Sequence, residues 1–308
     1  RDRTVSRGLG DVYKRQTQAI PKGILFSLLS TLLLTSADAF SKWLVVYYHV
    51  GELMLYRAVF AVPVCLILHR GMGHPWLKLA SAKPWLTTYR TMLSFIGSTL
   101  VTLSFVFLPL ADALAVIFLS PVLITALSPL ILGESVGWRR WLAVVAGFVG
   151  VLLITEPGQG GITWVIIIPL GAALLSALRD IATRQLGGVD PSTVTLFWSM
   201  VILVFGGGAS IPFFGMTWPT PEHWLYIGVG AVLVVVAQWF IILGFQYASG
   251  AIVGPFRYVS LVWAGLFGFF IWGDVPTLAK LAGAAIVCGS GLYLWWRETH
   301  VLKASAKG

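Results

Sequence analysis

The sequence predicts an all-α integral membrane protein with ten transmembrane helices, arranged as two inverted five-helix repeats. Of its 308 residues, 57% are hydrophobic and 11% are charged, whereas soluble domains carry about 25% charged residues. Apolar runs of about 20 residues, the length that crosses a bilayer as a helix, recur along the chain. Segments of the first half also recur in the second half at an almost constant offset. A soluble protein is therefore excluded, and the basic residues lie between apolar runs rather than on a nucleic-acid-binding face.

The ten predicted spans are separated by short connections that contain glycine and proline, as turns do. The spans cover residues 22–45, 51–69, 84–107, 111–132, 138–155, 162–186, 191–212, 223–246, 250–272 and 276–297. Residues 1–21 are polar and basic without an apolar core of signal-peptide length, so we expect them to be non-native or disordered. We expect residues 298–308 to form a cytoplasmic tail.

Lysine and arginine set the orientation, because the cytoplasmic connections of membrane proteins carry an excess of both. If the N-terminus is cytoplasmic, the basic residues of the first segment and of the connections after spans two and four all lie inside. The opposite connections contain only Lys280. The sequence therefore predicts a multi-pass protein with both termini in the cytoplasm.

An internal repeat relates residues 22–155 to residues 162–297. Asp38 of the first half matches Asp180 of the second. The matched segments are Ala37–Leu44 with Arg179–Leu186, at an offset of 142, and Leu110–Glu134 with Gly250–Asp274, at an offset of 140. Because each half contains an odd number of spans, the second half must enter the membrane from the opposite side. Inverted repeats of this kind are typical of secondary transporters.

Several motifs in the two halves resemble those of a known transporter family. The first half contains Pro109-Leu-Ala-Asp-Ala, Phe118-Leu-Ser-Pro, LILGE and GFVGVLLI, and the second contains PFRYVSLVWAGLFGFFIWGDVPT and GSGLYL. These motifs resemble the EamA-type transporters of the drug/metabolite transporter superfamily over about residues 22–297. The resemblance implies a central cavity formed mainly by spans 1–4 and 6–9. It also implies movement of small organic molecules across the bacterial inner membrane, without naming a substrate.

Charged side chains inside the spans are the strongest candidates for function, since a charge at the centre of a membrane helix costs roughly 2.5–3.5 kcal/mol. Asp38, Lys42 and Arg57 lie at similar depths below the outer face, where we expect an outer gate. The set expected at an inner gate is Arg90, Asp180, Arg184 and Arg257. Two alternatives stay open: pairs spaced i, i+4 that stabilise single helices, and long basic side chains that extend to the interface.

Aromatic residues and one amide accompany these charges. The further residues that we expect at the substrate pathway are Tyr56, Trp198, Gln238, Tyr258 and Trp263. An amide at mid-membrane usually faces the protein interior, where it joins helices or contacts a ligand. Tryptophan also concentrates at membrane interfaces, so both interpretations stay open here.

Motifs of enzyme chemistry are missing from the sequence, including HExxH, GxSxG and the Walker lysine loop. The sequence also has no Cys/His cluster of metal-ligand spacing. We therefore expect no enzyme activity, no cofactor and no metal. Uphill transport would then depend on solute exchange or on an ion gradient, and Asp38 and Asp180 are the deep carboxylates available to a proton. The alternative function is a non-transporting or lipid-handling polytopic membrane protein.

The charge balance of the two layers bears on the solute. Cations outnumber anions there, which favours a small organic solute with an anionic or strongly hydrogen-bonding end, and neighbouring aromatic rings suit a planar part. Small-residue faces on spans five and ten are expected to serve internal packing or a homodimer. Asp112, Glu134 and Asp274 lie beside helix starts, where we expect capping or dipole roles.

Overall fold

The computed structural model describes residues 2–73, 75, 79–131, 138–155, 164–186, 190–247 and 254–305. Side chains are described for these residues except 2–20, 128–129, 140, 155, 184, 245–246, 254–255, 294–295 and 297–305. Every regular element in these ranges is helical, which agrees with the predicted all-α class.

The helices follow one another with short connections. Their bounds are α1 Asp2–Leu44, α2 Val50–Gly71, α3 Pro84–Phe107, α4 Leu110–Ile117, α5 Ser120–Ile131, α6 Trp138–Thr155, α7 Ile167–Leu186, α8 Ser192–Phe214, α9 Pro221–Tyr247, α10 Val259–Phe267 and α11 Leu278–Ser305. A 3₁₀ turn, Gly254–Tyr258, precedes α10, and a π-helical turn, Gly268–Trp272, follows it.

Six helical segments of the described chain are long and apolar enough to cross a membrane. They are Pro21–Leu44, Val50–Gly71, Pro84–Phe107, Leu110–Leu127, Ser192–Phe214 and Pro221–Gly244. Shorter apolar helices cover Trp141–Ile154, Phe256–Trp272 and Leu278–Tyr293. Helix α7, which was predicted as a span, is in neither set and carries Arg179, Asp180 and Arg184 in its C-terminal half. The chain is thus a multi-pass helical protein.

Two predicted spans are interrupted, and a proline accounts for the first interruption. Span 111–132 divides into α4 and α5 because Pro121 has no N–H to donate to the carbonyl of Ile117. Span 250–272 divides into the 3₁₀ turn, α10 and the π-helical turn. The rings of Phe118 and Tyr258, one at each interruption, lie 5.5 Å apart.

The main packing partners come from opposite halves of the sequence. Helix α1 packs along α9, α2 along α8, α3 along α7, and α6 along α11. Glycine permits backbone contact in two of these pairs: a Cβ at Gly207 would lie 2.6 Å from the Gly51 carbonyl oxygen, and one at Gly150 would lie 2.8 Å from that of Gly283. Helices can approach this closely only where side chains are small.

Candidate functional site

Asp38, Ser41 and Arg57 form a cluster between α1 and α2, called here the outer arginine cluster. An Nη of Arg57 donates a hydrogen bond to Ser41 Oγ at 2.6 Å. Asp38 lies one turn before Ser41 and interacts electrostatically with Arg57, although Asp38 makes no ion pair within 4 Å in the described chain. The guanidinium is therefore bound by a hydroxyl and only approached by a carboxylate.

Lys42 joins a different group of charges, called here the outer ionic cluster. Its Nζ donates to the Leu108 carbonyl at 2.9 Å, lies 4.0 Å from Asp274 Oδ2, and lies 5.1 Å from the centre of the Trp272 ring. The expected grouping of Lys42 with Asp38 and Arg57 is thus not what the structure has. Lys42 instead holds the end of α1 against the segment that follows α10.

Two further residues complete the outer ionic cluster. Lys280 Nζ donates to Asp112 Oδ2 at 2.6 Å, and this contact joins the first turns of α4 and α11. Lys42 also interacts electrostatically with both Asp112 and Asp274. Asp112 and Asp274 were expected to act as helix-start residues, so the sequence reasoning missed their ion pairs. Lys280, the single basic residue expected in the opposite connections, was the available signal.

Near the opposite end of the helices, Arg90 forms what we call the inner arginine cluster. Its Nε donates to Thr183 Oγ1 at 2.8 Å, and an Nη donates to Ser199 Oγ at 3.3 Å. Asp180 is instead paired with Arg179, with a nitrogen–oxygen distance of 2.8 Å. Arg90 interacts electrostatically with both members of that pair. The side chain of Arg184 and residue Glu134 lie outside the described residues.

The two arginine clusters occupy related positions in the chain. At an offset of 142, Ser41 corresponds to Thr183 and Arg57 corresponds to Ser199. In each cluster the hydroxyl one turn after a deep aspartate binds a guanidinium. The guanidinium comes from α2 in the outer cluster and from α3 in the inner one.

Tyr56, a predicted pathway residue, is 3% exposed and forms a structural contact. Its hydroxyl lies 2.9 Å from Glu52 Oε1 and 2.9 Å from the Thr217 carbonyl oxygen. The Thr217 N–H also donates to Glu52 Oε1. Glu52, which the sequence reasoning did not single out, is 1% exposed and ties α2 to the connection between α8 and α9.

The other predicted residues are spread more widely. Trp198 is 38% exposed, and its Nε1 donates to the Leu79 carbonyl at 2.8 Å, outside both arginine clusters. Arg257 is exposed and Gln238 is half-buried. Trp263 Nε1 and Tyr258 Oη are buried and have no hydrogen-bond partner among the described residues, and Tyr258 Oη packs against Gly291 of α11.

Each end of the bundle also has a contact between connections. At one end, Tyr48 Oη and His223 Nδ1 lie 2.6 Å apart. At the other, Asp190 accepts hydrogen bonds from Ser81 Oγ and from the Ala82 N–H, the latter at 2.9 Å. Burial acts to raise the pKa of Asp190, but these hydrogen bonds outweigh it and hold the pKa below the usual value. Tyr48 and Asp190 correspond at the offset of 142.

An apolar cavity of about 400 Å³ lies between α1, α9 and the segment around α10. Its lining consists of Ser36, Ala39, Phe40, Trp43, Tyr226, Phe267, Ile271 and Trp272. The lining residues of α1 follow helical spacing, which places them on the face opposite Asp38 and Ser41. The cavity is therefore separate from the outer arginine cluster, and Trp272 connects it to Lys42.

Comparison with known proteins identifies the family. The sequence pattern of the EamA-like transporter family matches residues 21–156 and 162–296. The chain belongs to this family. The resemblance inferred from the motifs is thereby confirmed, and so is the prediction of a membrane transporter rather than an enzyme.

Named relatives of this EamA-like transporter span almost its whole length. The "Riboflavin transporter" of Rhizobium johnstonii is 29% identical over 279 residues, covering 90% of this chain and 89% of the relative. The "S-adenosylmethionine uptake transporter" of Rickettsia prowazekii is 26% identical over 281 residues, covering 90% and 93%. A crystal structure with a TM-score of 0.62 and 18% identity covers 89% of this chain and 95% of its own, so it shows the same fold. The bacterial relatives favour the inner membrane as the location.

Proposed function

We propose that this chain is a secondary transporter that moves a small organic metabolite across the bacterial inner membrane by alternating access. The observation that carries the proposal is the pair of arginine clusters, which lie near opposite ends of the helices at positions related by the repeat. Relatives named as riboflavin and S-adenosylmethionine transporters align over nine-tenths of the chain. A site that is presented to each side in turn needs such related binding groups.

The proposed architecture is ten helices in two inverted five-helix repeats, residues 22–155 and 162–297, around a central cavity. The packing supports it, because an inversion that exchanges the halves turns the α1–α9 pair into the α7–α3 pair. The same operation maps the α2–α8 pair and the α6–α11 pair onto themselves. Two interrupted helices, α4–α5 and the segment around α10, are likewise exchanged. Both termini then lie in the cytoplasm, as the distribution of lysine and arginine favours.

Opening would alternate between the two ends. On the proposed outer side, the outer ionic cluster and the Tyr48–His223 contact hold the helix ends together. On the proposed cytoplasmic side, Asp190 holds the connection before α3. If the contacts on one side break while those on the other side persist, the interior of the protein is exposed to one side of the membrane at a time.

The solute that we propose has a planar ring and a polar chain, a description that fits both riboflavin and S-adenosylmethionine. Asp38 and Asp180 would carry a coupling proton, since they are the deep carboxylates of the two arginine clusters. Association of two copies through α6 and α11 stays a prediction. The alternative is a lipid-handling protein without solute transport.

The test is uptake of labelled riboflavin and S-adenosylmethionine into proteoliposomes that contain the purified full chain. We expect saturable uptake of at least one solute, abolished in Asp38→Asn, with an imposed pH gradient changing the accumulation. Protein-free liposomes and a Lys22→Met variant are the controls, because Lys22 is exposed and lies at the start of the apolar segment of α1, Pro21–Leu44. Lipid scrambling without uptake of either solute would support the alternative function instead.

A further inference from the structure

Arg57 and Arg90 both keep hydrogen-bonding capacity that no described residue uses. An arginine side chain has five N–H donors. Arg57 spends one on Ser41, and Arg90 spends two on Thr183 and Ser199. Neither guanidinium has a carboxylate within 4 Å in the described chain.

The nearby aspartates do not neutralise these arginines by direct contact. Asp180 already accepts two hydrogen bonds from Arg179, and Asp38 stays beyond ion-pair distance of Arg57. Burying a guanidinium in a membrane protein without a paired carboxylate is costly. The presence of such a guanidinium near each end of the helices, on α2 and on α3, indicates that a counter-group arrives from outside the protein.

The unused N–H groups are also reachable. Within the described residues, no nitrogen of Arg57 or Arg90 is both fully buried and without a hydrogen-bond partner. Nitrogens of these guanidinium groups without a partner therefore keep accessible surface. A planar guanidinium with free and accessible N–H donors matches an end group that presents two parallel acceptors, such as a carboxylate, a phosphate or an imide.

We propose that Arg57 and Arg90 are successive anchors for one paired-acceptor end of the solute, Arg57 on the outer side and Arg90 on the cytoplasmic side. Ser41, Thr183 and Ser199 fix the two guanidinium groups so that their free edges face the solute. This inference rests on the proposed transport function, because a solute that passes from one anchor to the other must cross the bilayer. The inference defines the substrate class by the paired acceptors at one end of the solute, and not by the planar ring of the solute.

The first experiment needs no knowledge of the solute. The purified full chain is treated with phenylglyoxal, which modifies accessible arginine, and the modified positions are read by mass spectrometry. We expect Arg57 and Arg90 to react several-fold faster than Arg179, which is paired with Asp180. If Arg57 and Arg90 are protected while Arg179 reacts, their donors are not available and the proposal is wrong.

The second experiment measures binding of labelled S-adenosylmethionine, which has a carboxylate, and of riboflavin, which has an imide. Losing a hydrogen bond to a charged group weakens binding by roughly 10- to 100-fold, so we expect this loss in Arg57→Gln and in Arg90→Gln. Lysine variants should recover part of the affinity, because they restore charge without the fork. The control is Arg139→Gln, whose guanidinium lies over the Trp138 ring.

The outcomes separate this inference from the transport function. Uptake that persists with unchanged affinity in both glutamine variants leaves the transporter intact and refutes the anchors. If the wild-type chain takes up neither probe but Arg57 and Arg90 react selectively, the result supports Arg57 and Arg90 as solute-binding residues. The proposal of a solute with a planar ring is then wrong. If neither probe binds and both arginines are protected, both proposals fail.

Discussion

The Asp112–Lys280 ion pair gives a quantitative test of the outer ionic cluster. It joins the first turn of α4 to the first turn of α11, with 2.6 Å between Oδ2 and Nζ. The two side chains are 13% and 22% exposed. A double-mutant cycle with Asp112→Asn and Lys280→Met isolates the energy of this one contact, provided that neither substitution forms a new one.

The expected magnitude follows from distance and burial. At 2.6 Å and an effective dielectric constant of about 20, the attraction of two unit charges is about 6 kcal/mol. Desolvation and lost side-chain freedom offset most of it: exposed pairs contribute about 0.2–1 kcal/mol, and breaking a buried pair costs about 3–5 kcal/mol. Since both side chains are mostly buried, we expect about 2–4 kcal/mol for each single variant and a coupling energy of about 1–3 kcal/mol.

The assay is reversible denaturant unfolding of the purified full chain in detergent micelles, followed by tryptophan fluorescence. Lys22→Met serves as the matched control, because it removes an exposed lysine and should change the free energy of unfolding by less than about 0.5 kcal/mol. A coupling energy below about 0.5 kcal/mol would refute the reasoning. It would mean that the two charges contribute to stability independently of each other.

Three further predictions concern other parts of the molecule. Gly207→Ala should lower the free energy of unfolding by about 1–3 kcal/mol, because the new Cβ meets the backbone of α2. Gly208→Ala is the control, because its Cβ would lie in open space; an equal loss of stability in the two variants would contradict the packing. The depressed pKa of Asp190 stabilises the fold above its usual value of 3.8, so melting temperature should fall with pH below 3.8 in wild type and less in Asp190→Asn; parallel melting curves would rule this out. Reporter tags should read as cytoplasmic near Met72 and as external near Met216, and a shared compartment would contradict the inverted repeat.

The sequence was sufficient to predict those helices that lie within a single apolar run, and to predict which charged residues lie inside them. It placed α3 at residues 84–107, as observed, because that run begins with a proline and ends before Leu108-Pro109. It could not assign the partner of Lys42, since Asp274 is remote in sequence and only the packed fold brings them together. Pro121 accounts for the interruption between α4 and α5, whereas the π-helical turn after α10 has no comparable signal in the sequence.

The candidate site was predictable to a similar degree. Depth along each span predicted two groups, one with Asp38 and Arg57 and one with Arg90 and Asp180, because depth depends only on residue count. The role of these groups as gates stays a prediction. Which atoms bind each guanidinium was not predictable, since Ser41, Thr183 and Ser199 are common residue types inside membrane helices. Glu52 was missed for a related reason: its partners on the connection between α8 and α9 are distant in the chain.

The cross-half pairing of the helices has a consequence for biosynthesis. Helix α1 packs along α9, and α2 along α8, so the earliest helices to leave the ribosome have their main neighbours in the last part of the chain. They must stay in the lipid or with an insertion factor until translation has passed Pro221, the first residue of α9. Cutting the gene between the repeats would therefore yield fragments that need one another in the same membrane, and co-expression of the two is the condition under which they should assemble.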